Sequence, residues 1–248
     1  MDMTALQGKV ALVTGGSRGM GAAIARRLAA DGADVALTYA RSPEKATNVV
    51  ADIRGTGRRG LAIQADNRDA AAIEAAVAAT VKEFGRLDIL VNNAGIFSAA
   101  PIEEVTLEAY DEMMAVNTRA VFVAIKAAVP HLPEGGRIIT IGSNLAERVP
   151  FAGVSLYSAS KAALIGLTKG IARDLGPQRV TVNLIHPGST DTDMNPAHSD
   201  QADAQRSLMA IPSFSTPQNV AGLVAWLASE EARFVTGTAV TMDSGTNV

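Results

Sequence analysis

Tyr157 and Lys161 stand four residues apart at the start of a strongly helical stretch, Tyr157-Ser158-Ala159-Ser160-Lys161. On a helix that spacing lays both side chains on one face, one turn apart. An ammonium beside a phenol favours the phenolate, so the pair predicts a tyrosine with a lowered pKa, usable as an acid/base near neutral pH. A Tyr-x-x-x-Lys pair alone is most often a surface neighbour pair, and it gains meaning only from what accompanies it. Thr14-Gly15-Gly16-Ser17-Arg18-Gly19-Met20-Gly21 lies between an apolar run, Lys9 to Val13, and a helical run, Ala22 to Ala30. A strand, a glycine-rich turn and a helix N-terminus together make a pyrophosphate cradle. The glycine spacing is Gly-x-x-x-Gly-x-Gly, unlike the common dinucleotide fingerprint. Asn92-Asn93-Ala94-Gly95, Asn117 and Ser143 follow in order. Singly they read as a turn, a helix-bending polar residue and a loop hydroxyl.

These residues need elements to place them. Strands are expected at Val10–Val13, Val35–Tyr39, Gly60–Gln64, Ile89–Asn92, Arg137–Ile141, Val180–Ile185 and Ala239–Met242. Helices are expected at Gly21–Ala30, Glu44–Arg54, Ala70–Phe84, Leu107–Val129, Ser155–Leu175 and Pro217–Ala228. The strands are continuous Val/Ile/Leu runs, so helices should cover both faces. The alternation predicts one α/β domain over residues 1–248, a Rossmann-like doubly wound parallel sheet of seven strands. Residues 188–217 break the rhythm with a long connection holding a short helical piece near Asp203–Ala210. A connection that long after a strand C-terminus reads as a substrate lid, against the plainer reading of a surface insertion. Met194, Leu208, Met209 and Phe214 are placed to close over a substrate.

Composition sets bounds. Of 248 residues, 48% are hydrophobic, enough for a core without staples. There are no cysteines, which excludes a disulfide frame and a catalytic thiol and fits a reducing, cytoplasmic setting. The net charge of −3 and the lack of a basic stripe argue against nucleic acid. The segment Met1 to Gly8 lacks the pattern of a signal peptide. No apolar run reads as approaching the roughly 18 residues of a membrane span. His131, His186 and His198 have no companions at metal-ligand spacing, so no metal is expected, and each reads as a loop or element-end histidine.

Taken together, the glycine loop, Asn92 to Gly95, Asn117, Ser143, Tyr157-x-x-x-Lys161 and Pro187-Gly188 resemble the short-chain dehydrogenase/reductase family over nearly the whole chain. The resemblance is strongest to ketoreductases related to 3-oxoacyl-carrier-protein reductase. It implies hydride transfer between a nicotinamide and a carbonyl or alcohol carbon. Tyr157 would give a proton to the carbonyl oxygen, and Ser143 would hydrogen-bond the same oxygen. Lys161 would tune Tyr157 and hold the nicotinamide ribose, and Asn117 would hold a water linking Lys161 to solvent. Cofactor contacts would come from Gly15, Ser17, Arg18, Gly19, Met20 and Gly21, then from Tyr39, Asp66, Asn67, Asn93, Ala94 and Gly95. Pro187, Gly188, Thr190 and Thr192 would face the nicotinamide end. Tyr39 stands where an Asp would select NAD, and Arg41, Ser42 and Arg18 offer partners to a 2′-phosphate, so NADP(H) is favoured. The plainer reading leaves Arg18 and Arg41 as surface charges. The substrate pocket would be bordered by Phe97, Leu145, Phe151, Val154, Leu156, Met194 and Met209, which suits a hydrophobic small-molecule ketone or aldehyde.

Two alternatives stay open. Fatty-acid synthesis would require a basic docking rim for an acidic carrier; Glu134 stands where a base would be sought, although Arg173 and Arg179 remain. The segments Asp191 to Asp193, Asn195 to Ala197, Ser207 to Ile211 and Val224 to Ala228 are similar to a cyclic-di-GMP-binding branch of the family, which would make the chain a cyclic-dinucleotide sensor. The family resemblance also implies a homotetramer.

Overall fold

The structure is a computed structural model and describes residues 5–248; the reading of the N-terminus as free of a signal sequence falls in part on residues 1–4, outside the described residues. Seven strands form one parallel sheet: β1 (Val10–Val13), β2 (Asp34–Tyr39), β3 (Gly60–Gln64), β4 (Ile89–Asn92), β5 (Arg137–Ile141), β6 (Thr181–Pro187) and β7 (Ala239–Met242). Their spatial order is β3-β2-β1-β4-β5-β6-β7. The chain winds outward from β1 to β3, then returns to β4 on the other side of β1 and winds the opposite way. The β1/β4 junction is therefore the switch point, and the crevice beyond its carboxyl ends is where such sheets take ligands.

Alternation along the strands explains the covering of both faces. Ala11 and Val13 of β1 join one buried cluster with Ile24 and Leu28 of α1 (Gly19–Ala30), Val49 and Ile53 of α2 (Pro43–Gly55) and Val220 and Val224 of α8 (Pro217–Ala228). Val10 and Leu12, pointing oppositely, join the other. There they meet Ile73 and Val77 of α3 (Ala70–Phe84), Val121 and Ile125 of α5 (Ala120–Ala128), and Leu164 of α6 (Ser155–Leu175).

Three expected elements are corrected. The helix expected over Leu107–Val129 is α4 (Leu107–Met114), a π turn over Ala115–Arg119, then α5. Asn117, at the centre of the π turn, is buried with its amide clasping both backbone groups of Ile96: Oδ1 accepts from the N–H at 2.9 Å and Nδ2 donates to the carbonyl at 3.0 Å. The helix widens where this side chain is drawn inward. The strand expected to stop at Ile185 runs on to Pro187, because β7 pairs with it, His186 opposite Thr241 and Pro187 opposite Met242. The short helix in the 188–217 connection is α7 (Ala202–Arg206), shorter and earlier than expected.

The helical stretch Leu107–His131 is, against expectation, long and apolar enough by length and composition to cross a membrane. Half of its apolar window is buried inside the protein, where α5 lies on α3 and the π turn on α6.

Candidate active site

The glycine turn after β1 is built by close approach. Gly15 and Gly19 adopt φ of +64° and +53°, in the left-handed region. A Cβ on Gly21 would fall 2.3 Å from the Gly15 carbonyl oxygen. Thr38 Oγ1 accepts the Gly15 N–H at 3.0 Å, and Thr14 Oγ1 accepts the N–H groups of Asn93 and Ala94 at 3.0 and 3.2 Å. The Asn93 amide donates to the carbonyls of Thr14 and Gly15, at 2.9 and 3.1 Å. Asn93 thus ties the turn to the end of β4; its amide hydrogens are taken by the turn rather than left to face a ribose. Thr14 reads in the sequence only as the first residue of the glycine motif, and Thr38 gives no signal there, because the role of both is to hold backbone.

Two cations face the turn's outer rim. Arg18 lies 3.7 Å and Lys45 3.6 Å from the same carboxylate oxygen of Asp193. Together with Ser17, Gly19 and Thr192 they line an open cleft of ≈ 410 Å³. Lys45 was not picked out from the sequence; it sits in the first turn of α2, three residues beyond Ser42. Tyr39 closes β2 and Arg41 is exposed just after it. Asp66 Oδ1 accepts the Arg68 N–H at 3.0 Å, and Asn67 follows it, half-buried. A larger open hollow of ≈ 630 Å³ lies beside α4 and the π turn, lined by Arg68, Asp111 and Arg119 among others, and holds none of the expected site residues.

Ser143 follows β5, and Tyr157 and Lys161 rise from the first two turns of α6. Ser143 Oγ accepts the Leu145 N–H at 3.2 Å, and the Ser143 hydroxyl acts on the Tyr157 phenol to lower its pKa. Lys161 is buried, and its Nζ donates to the Ile141 carbonyl at 3.0 Å, 6.0 Å from the centroid of the Tyr157 ring. Burial lowers the Lys161 pKa to about 8. The Tyr157 pKa is raised by its own burial, which outweighs the bond from Ser143. This corrects the expectation of a phenol lowered by its lysine: here the ammonium is turned to a backbone carbonyl. Asn117 and Lys161 flank Gly95, whose Cβ would stand 3.2 Å from Asn117 Oδ1 and 3.4 Å from Lys161 Nζ. The remaining Asn117 contacts are the Met113 sulfur and Ser160 Oγ, so its side chain is fully engaged with protein.

The Phe97 ring meets Tyr157 edge-on, with centroids 4.9 Å apart. Phe97, Phe151 and Met194 are exposed and Leu145 half-buried, whereas Val154, Leu156 and Met209 are buried. Pro187 ends β6 and Gly188 follows it, where a Cβ would press on Asp243 at 2.6 Å. The 188–217 connection is knitted to itself: Asn195 and Gln205 exchange two amide bonds of 2.9 Å, and Thr190 Oγ1 pairs with Ser215 Oγ at 2.8 Å. Thr192 reaches to within 3.7 Å of a Cβ position on Gly19. His186, read from the sequence as a loop or element-end histidine, lies fully buried in β6 and accepts the Ser143 N–H on Nδ1 at 3.1 Å. Arg179 is not a free docking cation, because it pairs with Glu134 at 2.9 Å. Among the described residues no cluster of three or more His, Asp or Glu side chains is arranged to hold a metal.

A seven-stranded doubly wound sheet, a glycine turn at its switch point and a Ser-Tyr-Lys group at the carboxyl edge define a dinucleotide-binding oxidoreductase fold. Comparison with known proteins agrees. Residues 15–247 match the family model described as enoyl-(acyl carrier protein) reductase. A short-chain dehydrogenase from Burkholderia cenocepacia J2315, solved in complex with NADP, is 60% identical, with TM-score 0.97 over 98% of this chain and 100% of that one. A blue fluorescent protein from a metagenomic library, solved with NADPH, is 52% identical, with TM-score 0.97 over 98% of this chain and 100% of its own. The cyclic-di-GMP-binding biofilm dispersal mediator protein of Escherichia coli K12 is 44% identical over 97% of this chain and 98% of its own. The chain belongs to the short-chain dehydrogenase/reductase family.

Proposed function

We propose that the chain is an NADP(H)-dependent carbonyl reductase, catalysing reversible hydride transfer with ketones, aldehydes or secondary alcohols. The observation that carries this is the grouping of Ser143, just past β5 at the carboxyl edge of the sheet, with Tyr157, whose pKa it lowers, and with Lys161 buried one turn away. The glycine turn fits the pyrophosphate of a dinucleotide, since close contacts at Gly15, Gly16 and Gly21 leave no room for side chains there and the turn leads into the N-terminus of α1, whose dipole favours an anion. Arg18 and Lys45 fit a 2′-phosphate, with Arg41 and Ser42 nearby in sequence. The bound nicotinamide would supply or accept the hydride. The chain's own part is to hold the substrate oxygen between the Ser143 hydroxyl and the Tyr157 phenol, and to deliver the Tyr157 proton to that oxygen. Lys161, whose ammonium is turned to the Ile141 carbonyl 6.0 Å from the ring centre, would return a proton to Tyr157 between turnovers. Phe97, Phe151 and Met194 give an apolar wall, and the 188–217 segment serves as lid. The exposed Tyr110 and Phe122, on α4 and α5, suit pairing within a homotetramer. The setting is the cytoplasm.

The test is oxidation of NADPH, and in parallel NADH, against aryl ketones, aldehydes and acetoacetyl esters, with Tyr157→Phe as control. Turnover lost in the variant and faster with NADPH is the expected result; equal turnover in the variant refutes the role of Tyr157.

The Escherichia coli relative favours a second reading, a cyclic-di-GMP sensor on the same fold. Calorimetry with cyclic-di-GMP separates the two, and absence of binding at tens of micromolar removes the sensor. A carrier-protein reductase is less favoured, since the Glu134–Arg179 pair neutralises a basic rim.

A further inference from the structure

The serine segment is pinned from behind by a histidine that the reaction scheme leaves unused. His186 is fully buried in β6, and its Nδ1 accepts the backbone N–H of Ser143 at 3.1 Å. The ring also fills the space beside Gly142, where a Cβ would fall 2.5 Å from Nδ1 and 2.8 Å from Cε1. Gly142 N–H in turn donates to the Ile185 carbonyl at 2.7 Å. Two successive residues at the end of β5 are thus set by two successive residues of β6.

An imidazole that accepts on Nδ1 carries its proton on Nε2. That Nε2 is buried without a hydrogen-bond partner and lies 4.0 Å from Glu147 Oε1. The other Glu147 oxygen accepts the Thr241 hydroxyl at 3.2 Å, and Thr241 is the register partner of His186 on β7. The charged groups facing the ring are Glu147, from the serine segment, and Lys161, from α6; β7 presents the uncharged Thr241. Burial and Lys161 disfavour the imidazolium and Glu147 favours it, with a net pKa below the ordinary histidine value.

We propose that His186 is a positioning residue for the reduction site: its neutral Nε2–H form holds Ser143 in place through Nδ1, and its protonation releases Ser143. An imidazolium has an N–H on both nitrogens, so Nδ1–H and the Ser143 N–H would stand donor against donor. The Ser143 hydroxyl, which acts on the Tyr157 phenol, would then lose its fixed backbone. The kinetic consequence rests on the reductase reading above; the tautomer and its coupling to Ser143 do not.

The test has two arms. In the unmodified protein, long-range proton–nitrogen NMR is expected to show His186 protonated on Nε2 with Nδ1 as acceptor, and the Ser143 amide signal moving in step with His186 as pH falls. A proton on Nδ1, or a Ser143 amide indifferent to that titration, overturns the proposal. In the kinetic arm, His186→Asn keeps an acceptor that does not titrate, and is expected to retain turnover while losing the acid limb of the kcat–pH profile. His186→Leu, which leaves the Ser143 N–H unpaired, is expected to lower kcat about tenfold with the KM for NADPH unchanged. An acid limb with the same midpoint in His186→Asn counts against the proposal. Failure of the unmodified protein to turn over any carbonyl with NADPH removes the reductase reading, and the NMR arm then decides the role of His186 alone.

Discussion

Lys161 Nζ donates to the Ile141 carbonyl at 3.0 Å while standing 6.0 Å from the centre of the Tyr157 ring. The ammonium is held in the protein's interior, and its pKa falls from 10.5 to about 8. The sign follows directly. Above about pH 8 the folded chain begins to release this proton, whereas the unfolded chain holds it to about 10.5, so the folded state binds fewer protons between those values. Stability therefore rises with pH across that window, and at pH 7 the burial costs about 3 kcal/mol, offset by about 1 kcal/mol from the bond to Ile141. Lys161→Met is predicted to abolish turnover and to stabilise the protein by about 2 kcal/mol at pH 7, with the gain shrinking toward pH 10. Urea titrations at both pH values check this; a variant less stable at pH 7 would contradict it.

Tyr157 carries the second prediction. Burial keeps its phenol protonated well past neutrality, the form needed to donate a proton. Tyr157→Phe should lower kcat for carbonyl reduction by about 10²- to 10⁴-fold, the usual range for general acid catalysis. NADPH binding, followed by its fluorescence, should survive. In the parent protein, reduction should hold steady through neutral pH and fall in the alkaline range, while alcohol oxidation rises there. A reduction rate that climbs with pH would be inconsistent with Tyr157 as the acid.

How much of this was legible beforehand depended on whether a residue acts through its own side-chain chemistry or through a distant backbone. The sheet could be read because each strand is a continuous apolar run. Tyr157 and Lys161 could be paired because four residues make one helical turn. Five strands agreed at both ends; β2 gained Asp34, which pairs with Val10, and β6 began one residue later and ran two further, where β7 pairs with it. The long helix through Asn117 could not be foreseen as broken, since its π turn depends on the Ile96 backbone, 21 positions away. His186 was passed over for the same reason: its partner, the Ser143 N–H, is supplied by the segment after β5, 43 positions away. Lys161's turn toward Ile141, and the rise rather than fall of the Tyr157 pKa, come from burial, which spacing alone does not encode.

Gly21 tests the glycine turn without touching any charge. Its Cβ position is 2.3 Å from the Gly15 carbonyl oxygen and 2.5 Å from Asn93 Nδ2. Both belong to the structure that holds the turn against β4, so neither can move without opening it. Gly21→Ala should cost about 1–3 kcal/mol of stability, the range for overpacking, and weaken NADPH binding more than it changes the thermal midpoint. Titration calorimetry beside a melting curve checks both, and unchanged NADPH affinity would show that the turn is not the cofactor cradle.

The Arg18, Lys45 and Asp193 group tests cofactor choice. Asp193 belongs to the 188–217 segment, and its carboxylate sits between two cations from α2 and the glycine turn. All three side chains are largely exposed, so each pair contributes at most about 1 kcal/mol. A phosphate carries more charge than the carboxylate and more acceptors, and hydrogen bonds to charged groups run to about 1.5–3 kcal/mol. A 2′-phosphate should therefore win both cations from Asp193. Arg18→Ala and Lys45→Ala are each predicted to raise the KM for NADPH about tenfold or more, and to leave the KM for NADH near its original value. Asp193→Asn, which removes the competing carboxylate, should lower the KM for NADPH by up to about fivefold, again sparing NADH. Steady-state kinetics with both cofactors decide the matter. Equal losses with NADH would place the two cations on the shared pyrophosphate instead, and no change with either cofactor would leave Arg41 and Ser42 as the residues to test.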